Sequence, residues 1–319
     1  TTYKVLKTKD NLNTSLGLAI TLLSLTDEDI IVLEMGMNKF GEIALLSDIA
    51  KPDVAVITNI GTAHIGNLGS RENILKAKLE ILDGLKGPLI INNDNDLLHS
   101  WYQNAAIKNP VITYGIENKS DYIATNITYN KQGSYFEINK KDININLIGK
   151  HFIYNSLVSF AIGDLYKVSF ENIKKCLKTI PLEANRMELI NKDKYTIIND
   201  TYNASFDSVY YALLVLKELE GTKVAVLGDI LELGEYETEI YNKIAEVVVT
   251  NNVDMLLTVG PNSHIINDKA QNLGFKNLNL HFSNNKEAIN YINSMDKENT
   301  TILVKASHSM NFKEIVDNI

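Results

Sequence analysis

Runs of apolar, β-branched residues alternate along the chain with stretches whose apolar residues recur at helical spacing. This alternation is typical of an α/β fold, in which strands form a parallel sheet and helices cover its faces. The pattern predicts a buried strand over residues 30–33 and further strands over residues 54–57 and 89–91. Helices are predicted around residues 43–49 and over residues 71–85. The first part of the chain is therefore predicted to be a parallel α/β sheet.

The pattern changes between about residue 111 and residue 148. Short stretches with alternating polarity predict strands over residues 122–129, 134–138 and 143–148. Gly133 supplies a turn between the first two of them. We therefore expect a small antiparallel annex beside the parallel sheet, after which helices resume over residues 154–167 and 170–178.

A domain boundary is predicted at residues 181–186, because the alternation of strands and helices restarts after them. The second series of strands is predicted over residues 196–198, 224–227, 255–259, 278–282 and 301–304. Helices are predicted between them over residues 208–219, 236–250, 263–273 and 286–294. This series is typical of a second, doubly wound domain. The predicted domains are residues 1–183 and residues 184–319.

Composition narrows the classes of partner. The 319 residues carry a net charge of −8, without the concentrated basic face that nucleic acids or membrane surfaces require. Cys176 is the single cysteine, which excludes a disulfide framework and favours a reduced, cytoplasmic compartment. No apolar run approaches the ~20 residues of a membrane helix, so we expect no membrane insertion. Only Arg71 and Arg186 could supply a bidentate arginine contact to phosphate.

Two predicted strands end in polar residues at the sheet edge where α/β proteins bind ligands. Glu34 follows the strand over residues 30–33, and His64 closes the loop after the strand over residues 54–57. A carboxylate and an imidazole at one edge could form a Mg²⁺ site. Alternatively, Glu34 is a solvated strand end and His64 a loop residue capped by backbone, which spacing alone favours. Lys78, on the following helix, could turn toward the same corner or belong to a solvated face.

The second predicted domain begins with a polar loop between a strand and a helix, running from Asp200 to Ser205. It is an ordinary loop by chemistry, although it lies where ligands bind, and Asp207 or Ser208 is expected to cap the helix that follows. The chain has no Gly-x-Gly pair and no Gly-x-x-x-x-Gly-Lys-Ser/Thr motif. It therefore carries neither the usual dinucleotide fingerprint nor a phosphate loop.

His151 and Asn155 lie four residues apart at the start of a predicted helix and would share one face. A helix cap and polar side chains facing solvent would explain this pair without any ligand. Neither residue identifies a function by itself.

The order of these motifs resembles that of the Mur ligases over essentially the whole chain. The matching stretches are Glu34-Met35-Gly36, Thr58-Asn59-Ile60-Gly61-Thr62-Ala63-His64, Ala77-Lys78-x-Glu80, Gly149-Lys150-His151 with Asn155, Asn185-Arg186, Asp200-Thr201-Tyr202-Asn203-Ala204 and Val226-Leu227-Gly228-Asp229-Ile230-Leu231-Glu232-Leu233-Gly234. The last two stretches favour the branch of the family that adds D-alanyl-D-alanine. The resemblance implies an ATPase-type central domain with its annex, followed by a Rossmann-like ligase domain.

The resemblance also implies an activity and a set of site residues. The activity is ATP-dependent joining of D-alanyl-D-alanine to a UDP-linked muramoyl tripeptide in peptidoglycan precursor synthesis, through an acyl phosphate and with Mg²⁺, by a cytoplasmic monomer. The implied catalytic residues and metal ligands are Glu34, His64 and Lys78, the lysine as a carbamate. The implied ATP contacts are Asn59, His151, Asn155, Arg186 and Asp200. The implied contacts to the dipeptide substrate are Tyr202, Asn203, Ser205 and Lys305.

The sequence departs from the family pattern at several positions. Phe152 stands where the family usually has Asn, Ala306 where it usually has Gly, and Thr14 where an Asn-rich segment continues with Asn. The family's UDP-binding domain and phosphate loop would precede Thr1, so we expect the chain as given to be incomplete for activity. The alternatives are another amino-acid-adding step of the family, a nucleotide-binding remnant without ligase activity, or a partner-binding protein on a degenerate ligase fold. Joint retention of Glu34, His64, Lys78 and Asn155 argues against the last.

Overall fold

The computed structural model describes residues 2–130, 132–180, 184–192, 194–295 and 298–319. The chain forms two compact units. Unit 1 comprises Thr1–Ile127, Tyr135–Asn144 and Phe152–Thr179, and unit 2 comprises Thr128–Ser134, Ile145–His151 and Ile180–Ile319. Residues 181–183 of the predicted boundary lie outside the described residues, and the division into 1–183 and 184–319 stays a prediction.

In the first half of the chain, the strands and helices that the structure describes alternate from residue 5 to residue 115, after which three further strands precede two helices. Its strands are β1 (Val5–Lys7), β2 (Ile30–Val32), β3 (Ala55–Ile57), β4 (Leu89–Asn92), β5 (Val111–Gly115), β6 (Tyr122–Asn130), β7 (Gly133–Ile138) and β8 (Lys141–Ile145). Its helices are α1 (Ser15–Leu23), α2 (Glu42–Ala50), α3 (Ile65–Leu68), α4 (Arg71–Leu79), α5 (Asp96–Asn104), α6 (Lys150–Leu165) and α7 (Phe170–Lys178).

The main sheet of this half has the order β3-β4-β5-β6-β7-β8. Strands β3 to β6 pair in parallel, and β4, the second strand in this order, is buried along its whole length. The connections from β6 to β7 and from β7 to β8 are two residues long, too short for a parallel crossover, so these pairs are antiparallel. The predicted annex is thus continuous with the parallel sheet through the β5–β6 pair.

Two predictions in this half are corrected. Strand β2 was expected to be buried because its residues are apolar, but among the described residues it pairs with β1 alone, and Val32 is 55% exposed. A strand covered on one side keeps much of its apolar surface in contact with solvent. The helix predicted over residues 71–85 ends at Leu79 and continues as a 3₁₀ turn over Glu80–Asp83, a common way for a helix to end.

The second half forms a sheet with helices between its strands. Its strands are β9 (Glu188–Asn191), β10 (Tyr195–Asn199), β11 (Thr222–Gly228), β12 (Met255–Val259), β13 (Leu278–Phe282) and β14 (Thr300–Lys305). Its helices are α8 (Phe206–Glu218), α9 (Glu237–Thr250), α10 (His264–Asn272), α11 (Asn285–Ser294) and α12 (Lys313–Asn318). The sheet order is β13-β12-β11-β14-β10-β9.

All pairs in this sheet are parallel except that between β9 and β10. Strand β14 lies between β10 and β11, and its apolar residues join the fully buried core together with Val226 and Leu257. The predicted α/β class with parallel-dominated sheets is confirmed. Among the described residues, no helix has the length and apolar character needed to cross a membrane.

Candidate active site

Glu34 lies shortly after β2, and His64 closes the loop between β3 and α3, as predicted. Glu34 follows β2, is exposed, and accepts a hydrogen bond from Asn13 Nδ2 on its Oε1 atom at 2.9 Å. Its backbone N–H donates to Thr8 Oγ1 at 2.9 Å, so the position of the carboxylate is set from two sides. His64 is half-buried at the start of α3 with a φ of 63°, a conformation that residues other than glycine adopt rarely.

Lys78 lies in the last turn of α4, and its side chain is half-buried. Burial lowers the pKa of its amine, because removing the ammonium from water costs free energy. Lys76 on the same helix is exposed. A lysine with a lowered pKa offers more neutral amine near pH 7, which carbamate formation requires.

No group of three or more His, Cys, Asp or Glu side chains able to hold a metal ion occurs in the described ranges. Glu34 and His64 supply two donors of that kind, and Lys78 would become an anionic oxygen donor only as a carbamate. Convergence of these three side chains on one metal ion stays a prediction.

Glu80 has a structural role that the sequence did not reveal. Its carboxylate accepts hydrogen bonds from the N–H groups of Gly41 at 2.8 Å and Ala44 at 3.2 Å, at the start of α2. The helix begins after a glycine, which has no side chain to cap it, and Glu80 replaces the missing cap. Glu80 lies two residues after Lys78, so its hydrogen bonds join the start of α2 to the segment that carries Lys78. The sequence signal for this role was Gly41 before α2, because a helix that begins after glycine must be capped by another residue.

Arg71 is used within the fold. Its guanidinium binds both carboxylate oxygens of Asp96 and donates from Nη2 to the Ile60 carbonyl at 2.9 Å. The hydrogen bond from Arg71 holds the pKa of Asp96 below its usual range.

Asn59 is half-buried in the loop after β3, where its Oδ1 accepts from Asn95 Nδ2 at 2.9 Å. Asn95 also caps α5 through Leu98 N, at 3.1 Å. The predicted ATP contact is thus held by a neighbouring helix cap.

His151 and Asn155 both lie near the start of α6, as predicted. Asn155 is exposed, whereas the Nδ1 atom of His151 is buried although the residue keeps some exposed surface. Burial lowers the pKa of His151 to about 4. The ring is therefore neutral at pH 7 and presents an aromatic surface instead of a cation.

In unit 2, Asp200 and Lys305 form a buried ion pair. Lys305 Nζ lies 2.5 Å from Asp200 Oδ2, and the two residues are 2% and 8% exposed. Asp200 Oδ1 accepts from Met187 N at 3.2 Å, and Lys305 Nζ also donates to the Asn203 carbonyl at 2.8 Å. Burial lowers the pKa of Lys305, and the Asp200 carboxylate acts in the opposite direction.

Arg186 stacks on the ring of Tyr202, with 3.8 Å between the guanidinium carbon and the ring centroid. This is a cation–π arrangement that holds the planar guanidinium in one orientation. Tyr202 also lies beside His308, whose ring Nδ1 is 3.1 Å from the Tyr202 carbonyl oxygen. His308 was missed by the sequence reasoning, although it follows the Lys305-Ala306-Ser307 stretch.

The rest of the predicted dipeptide loop is partly committed to local structure. Asn203 is exposed, and its Oδ1 accepts from Ala204 N at 2.9 Å. Ser205 is the N-cap of α8 and forms a capping box with Ser208. The prediction that Asp207 or Ser208 caps this helix is corrected: the Ser205 oxygen accepts from the N–H three residues later, the geometry of a cap. A contact of Ser205 with substrate stays a prediction.

Known protein families match both halves of the chain. The model of the Mur ligase middle domain matches residues 1–163, and that of the Mur ligase glutamate ligase domain matches residues 185–308. The UDP-N-acetylmuramoyl-tripeptide–D-alanyl-D-alanine ligase of Bacillus subtilis is 37% identical over 100% of this chain and 70% of its own length. The enzyme of the same name from Escherichia coli is 31% identical over 98% of this chain and 70% of its own length.

Solved structures of this family have the same fold as this chain. MurF from Acinetobacter baumannii superposes with a TM-score of 0.91 at 29% identity, covering 99% of this chain and 70% of that one. The two α/β units and these matches together identify the class of protein as a ligase. The chain belongs to the Mur ligase family, and it is an ATP-dependent ligase of peptidoglycan precursor synthesis.

Proposed function

We propose that this protein joins D-alanyl-D-alanine to UDP-N-acetylmuramoyl-tripeptide with ATP as the energy source. The observation that carries the proposal is the similarity of the whole chain to the Bacillus subtilis ligase of that name, at 37% identity. We further propose that it acts in the cytoplasm as a monomer, and its single, exposed cysteine is compatible with a reducing compartment.

The proposed reaction has two chemical steps. A terminal carboxylate oxygen of the tripeptide attacks the γ-phosphorus of ATP, the bond to the β-phosphate oxygen breaks, and an acyl phosphate and ADP result. The amine of D-alanyl-D-alanine then attacks the acyl carbon and loses a proton. The C–O bond to phosphate breaks, inorganic phosphate leaves, and the amide remains.

The proposed donor set has two anionic oxygen groups and one imidazole nitrogen, which fits Mg²⁺, an ion that prefers oxygen ligands. Glu34, His64 and a carbamate of Lys78 would hold the ion, which neutralises charge between ATP and the carboxylate when bound. Lys78 prepares this site by its own chemistry. Its amine, with a pKa lowered by burial, attacks CO₂, forms an N–C bond and loses a proton.

The nucleotide contacts we propose are Asn59, His151, Asn155, Arg186 and Asp200. Arg186 is exposed and already oriented by the ring of Tyr202, which suits a planar donor to phosphate. His151 is neutral at pH 7 and so suits an uncharged base better than an anion. Asn155 offers an exposed amide near the same end of α6.

We propose that Tyr202, Asn203 and Ser205 contact the dipeptide and that Lys305 serves the same loop. Tyr202 is half-buried and Asn203 is exposed, so both have surface to offer a ligand. The hydroxyl of Ser205 is already used in the helix cap, and Lys305 is buried.

A ligation assay with the natural full-length polypeptide tests the proposal. The protein is incubated with the UDP-linked tripeptide, Mg²⁺-ATP and D-alanyl-D-alanine, and the product is identified by mass spectrometry beside phosphate release. Parallel reactions replace the dipeptide with L-alanine, D-glutamate, L-lysine or diaminopimelate. We expect product only with the dipeptide. Product with a single amino acid would assign another step of the family, and absence of product would leave an inactive nucleotide-binding protein.

A further inference from the structure

Lys305 is the last residue of β14, a strand that lies between β10 and β11. The register pairs Lys305 with Leu227 of β11 and pairs Val304 with Asn199 of β10, the residue before Asp200. The Asp200 N–H also donates to the Val304 carbonyl, at 3.1 Å. Sheet pairing therefore brings Lys305 beside Asp200, and only 1% of the lysine side chain is exposed.

The ammonium of Lys305 contacts both ends of one short loop. One N–H group binds Asp200 Oδ2 at 2.5 Å, and another binds the Asn203 carbonyl at 2.8 Å. Asp200 is the proposed nucleotide contact of this loop, and Asn203 is a proposed dipeptide contact. An ammonium enclosed in this way has little surface with which to touch a substrate.

Other contacts fix the same loop against the segment around Arg186. Asp200 Oδ1 accepts from Met187 N, and the Tyr202 N–H donates to the Asn185 carbonyl at 3.0 Å. With these bonds present, loss of Lys305 would release one oxygen of Asp200 and the Asn203 carbonyl together. The two proposed substrate contacts would then lose their common support.

We infer that Lys305 is a positioning residue, which holds the nucleotide-side carboxylate of Asp200 and the dipeptide-side loop at Asn203 in one fixed arrangement. The inference rests on the proposed function. It differs from a direct contact with the dipeptide in one measurable respect. A positioning residue affects both substrates at once, whereas a direct contact affects only the dipeptide.

The test compares the K305M, D200N and K305M/D200N variants of the natural full-length polypeptide. Steady-state rates give kcat and KM for ATP and for D-alanyl-D-alanine, and equilibrium titration gives the Kd of Mg²⁺-ATP without turnover. For K305M we expect kcat/KM to fall about 10- to 100-fold for both substrates, the scale of a misplaced reacting group. Adding K305M to D200N should lower kcat/KM for ATP little further, because both substitutions remove the same ion pair. The K223M variant, a lysine at the opposite end of neighbouring β11, is the matched control and should behave like the wild type.

Two results would overturn the inference. One is a rise in the dipeptide KM alone, equal in size with and without D200N, which indicates direct contact. The other is unchanged constants in a folded but less stable K305M protein, which indicates a purely structural residue. If K305M does not fold, K305R replaces it, because arginine keeps the buried positive charge but places its donors differently. For K305R the inference predicts a rise in KM for both ATP and D-alanyl-D-alanine. A rise in KM for the dipeptide alone, or no rise in either KM, would contradict it.

Failure of the proposed function is separate from failure of this inference. Without ligation of the dipeptide by the wild-type enzyme, the proposed function fails before any variant is compared. With wild-type activity present, only the variants bear on Lys305.

Discussion

Arg71 binds Asp96 with both arms of its guanidinium, at 2.9 Å from Nη1 to Oδ2 and 2.6 Å from Nη2 to Oδ1. The two residues open α4 and α5, so the pair fastens the starts of two helices to each other. The same Nη2 atom donates to the Ile60 carbonyl, in the loop between β3 and His64. The Arg71 side chain thus holds together the start of α4, the start of α5 and the loop that carries Asn59 and His64.

The R71K variant should be less stable by about 1–2 kcal/mol. Lysine cannot reproduce the forked contact. The pair is partly exposed, at 33% and 64% of the two side chains, so solvent screening limits its share to a few tenths of a kcal/mol. The lost bond to the Ile60 carbonyl contributes about 1 kcal/mol more. Urea unfolding measures the change, with K76R on the exposed side of α4 as control. Equal stability of R71K and wild type would exclude this role.

The K78A variant should lose at least about 100-fold in turnover, since a lost anionic ligand weakens charge neutralisation worth several kcal/mol. Acetate or formate should restore part of the turnover by supplying a carboxylate where the carbamate stood. The carbamate should form more fully as pH and bicarbonate rise, because only the neutral amine reacts with CO₂. Burial lowers the pKa of Lys78 and so brings the neutral amine closer to pH 7. Carbon-13 NMR with labelled bicarbonate detects it.

K76A is the control for this experiment, because Lys76 is exposed on the same helix. It should keep wild-type turnover and show no response to added acids. A K78A protein that still binds ATP but gains nothing from short carboxylic acids would contradict the carbamate.

His151 should make stability depend on pH between about 4 and 6.5. Burial holds the pKa of the folded ring at about 4, against 6.5 ordinarily, so the unfolded chain binds more protons in this window. The stability is complete above pH 6.5 and is lost as pH falls toward 4. Between pH 7.5 and pH 5 the loss from this residue should be about 2 kcal/mol at most.

Urea unfolding of the wild type and of H151Q at these two pH values measures this loss. H151Q should show the smaller decrease, because glutamine does not titrate. H264Q, which changes an exposed histidine, should follow the wild type. An equal decrease in H151Q and wild type would mean that the ring is not buried in the neutral form.

Five of the six strands that the structure describes in the second half were predicted, and four of these, β10, β11, β12 and β14, are largely buried. The antiparallel edge strand β9 was not predicted. The bounds of β12 and β13 match the predicted residues 255–259 and 278–282. Helix α1 was not predicted. Its residues are apolar on several sides, with Leu16 at 70% and Leu23 at 87% exposure, so no amphipathic period marks it.

Motifs in the sequence name candidate site residues, but long-range pairing decides what surrounds each of them. Lys305 was predicted to face the dipeptide, but the register of β14 with β10 places its amine against Asp200. Nothing local to either residue encodes that register. Ser205 is similar: only the folded turn shows that its hydroxyl caps α8.

The most direct measurement follows the oxygen of the tripeptide carboxylate. The UDP-linked tripeptide is labelled with oxygen-18 at its terminal carboxylate and ligated to D-alanyl-D-alanine by the natural full-length polypeptide with Mg²⁺-ATP. If the carboxylate attacks ATP and the dipeptide amine then displaces phosphate, one labelled oxygen must appear in inorganic phosphate for each amide formed. Labelled phosphate together with the dipeptide-extended product is the expected result. Unlabelled phosphate, or labelled phosphate without dipeptide addition, would contradict the proposed function.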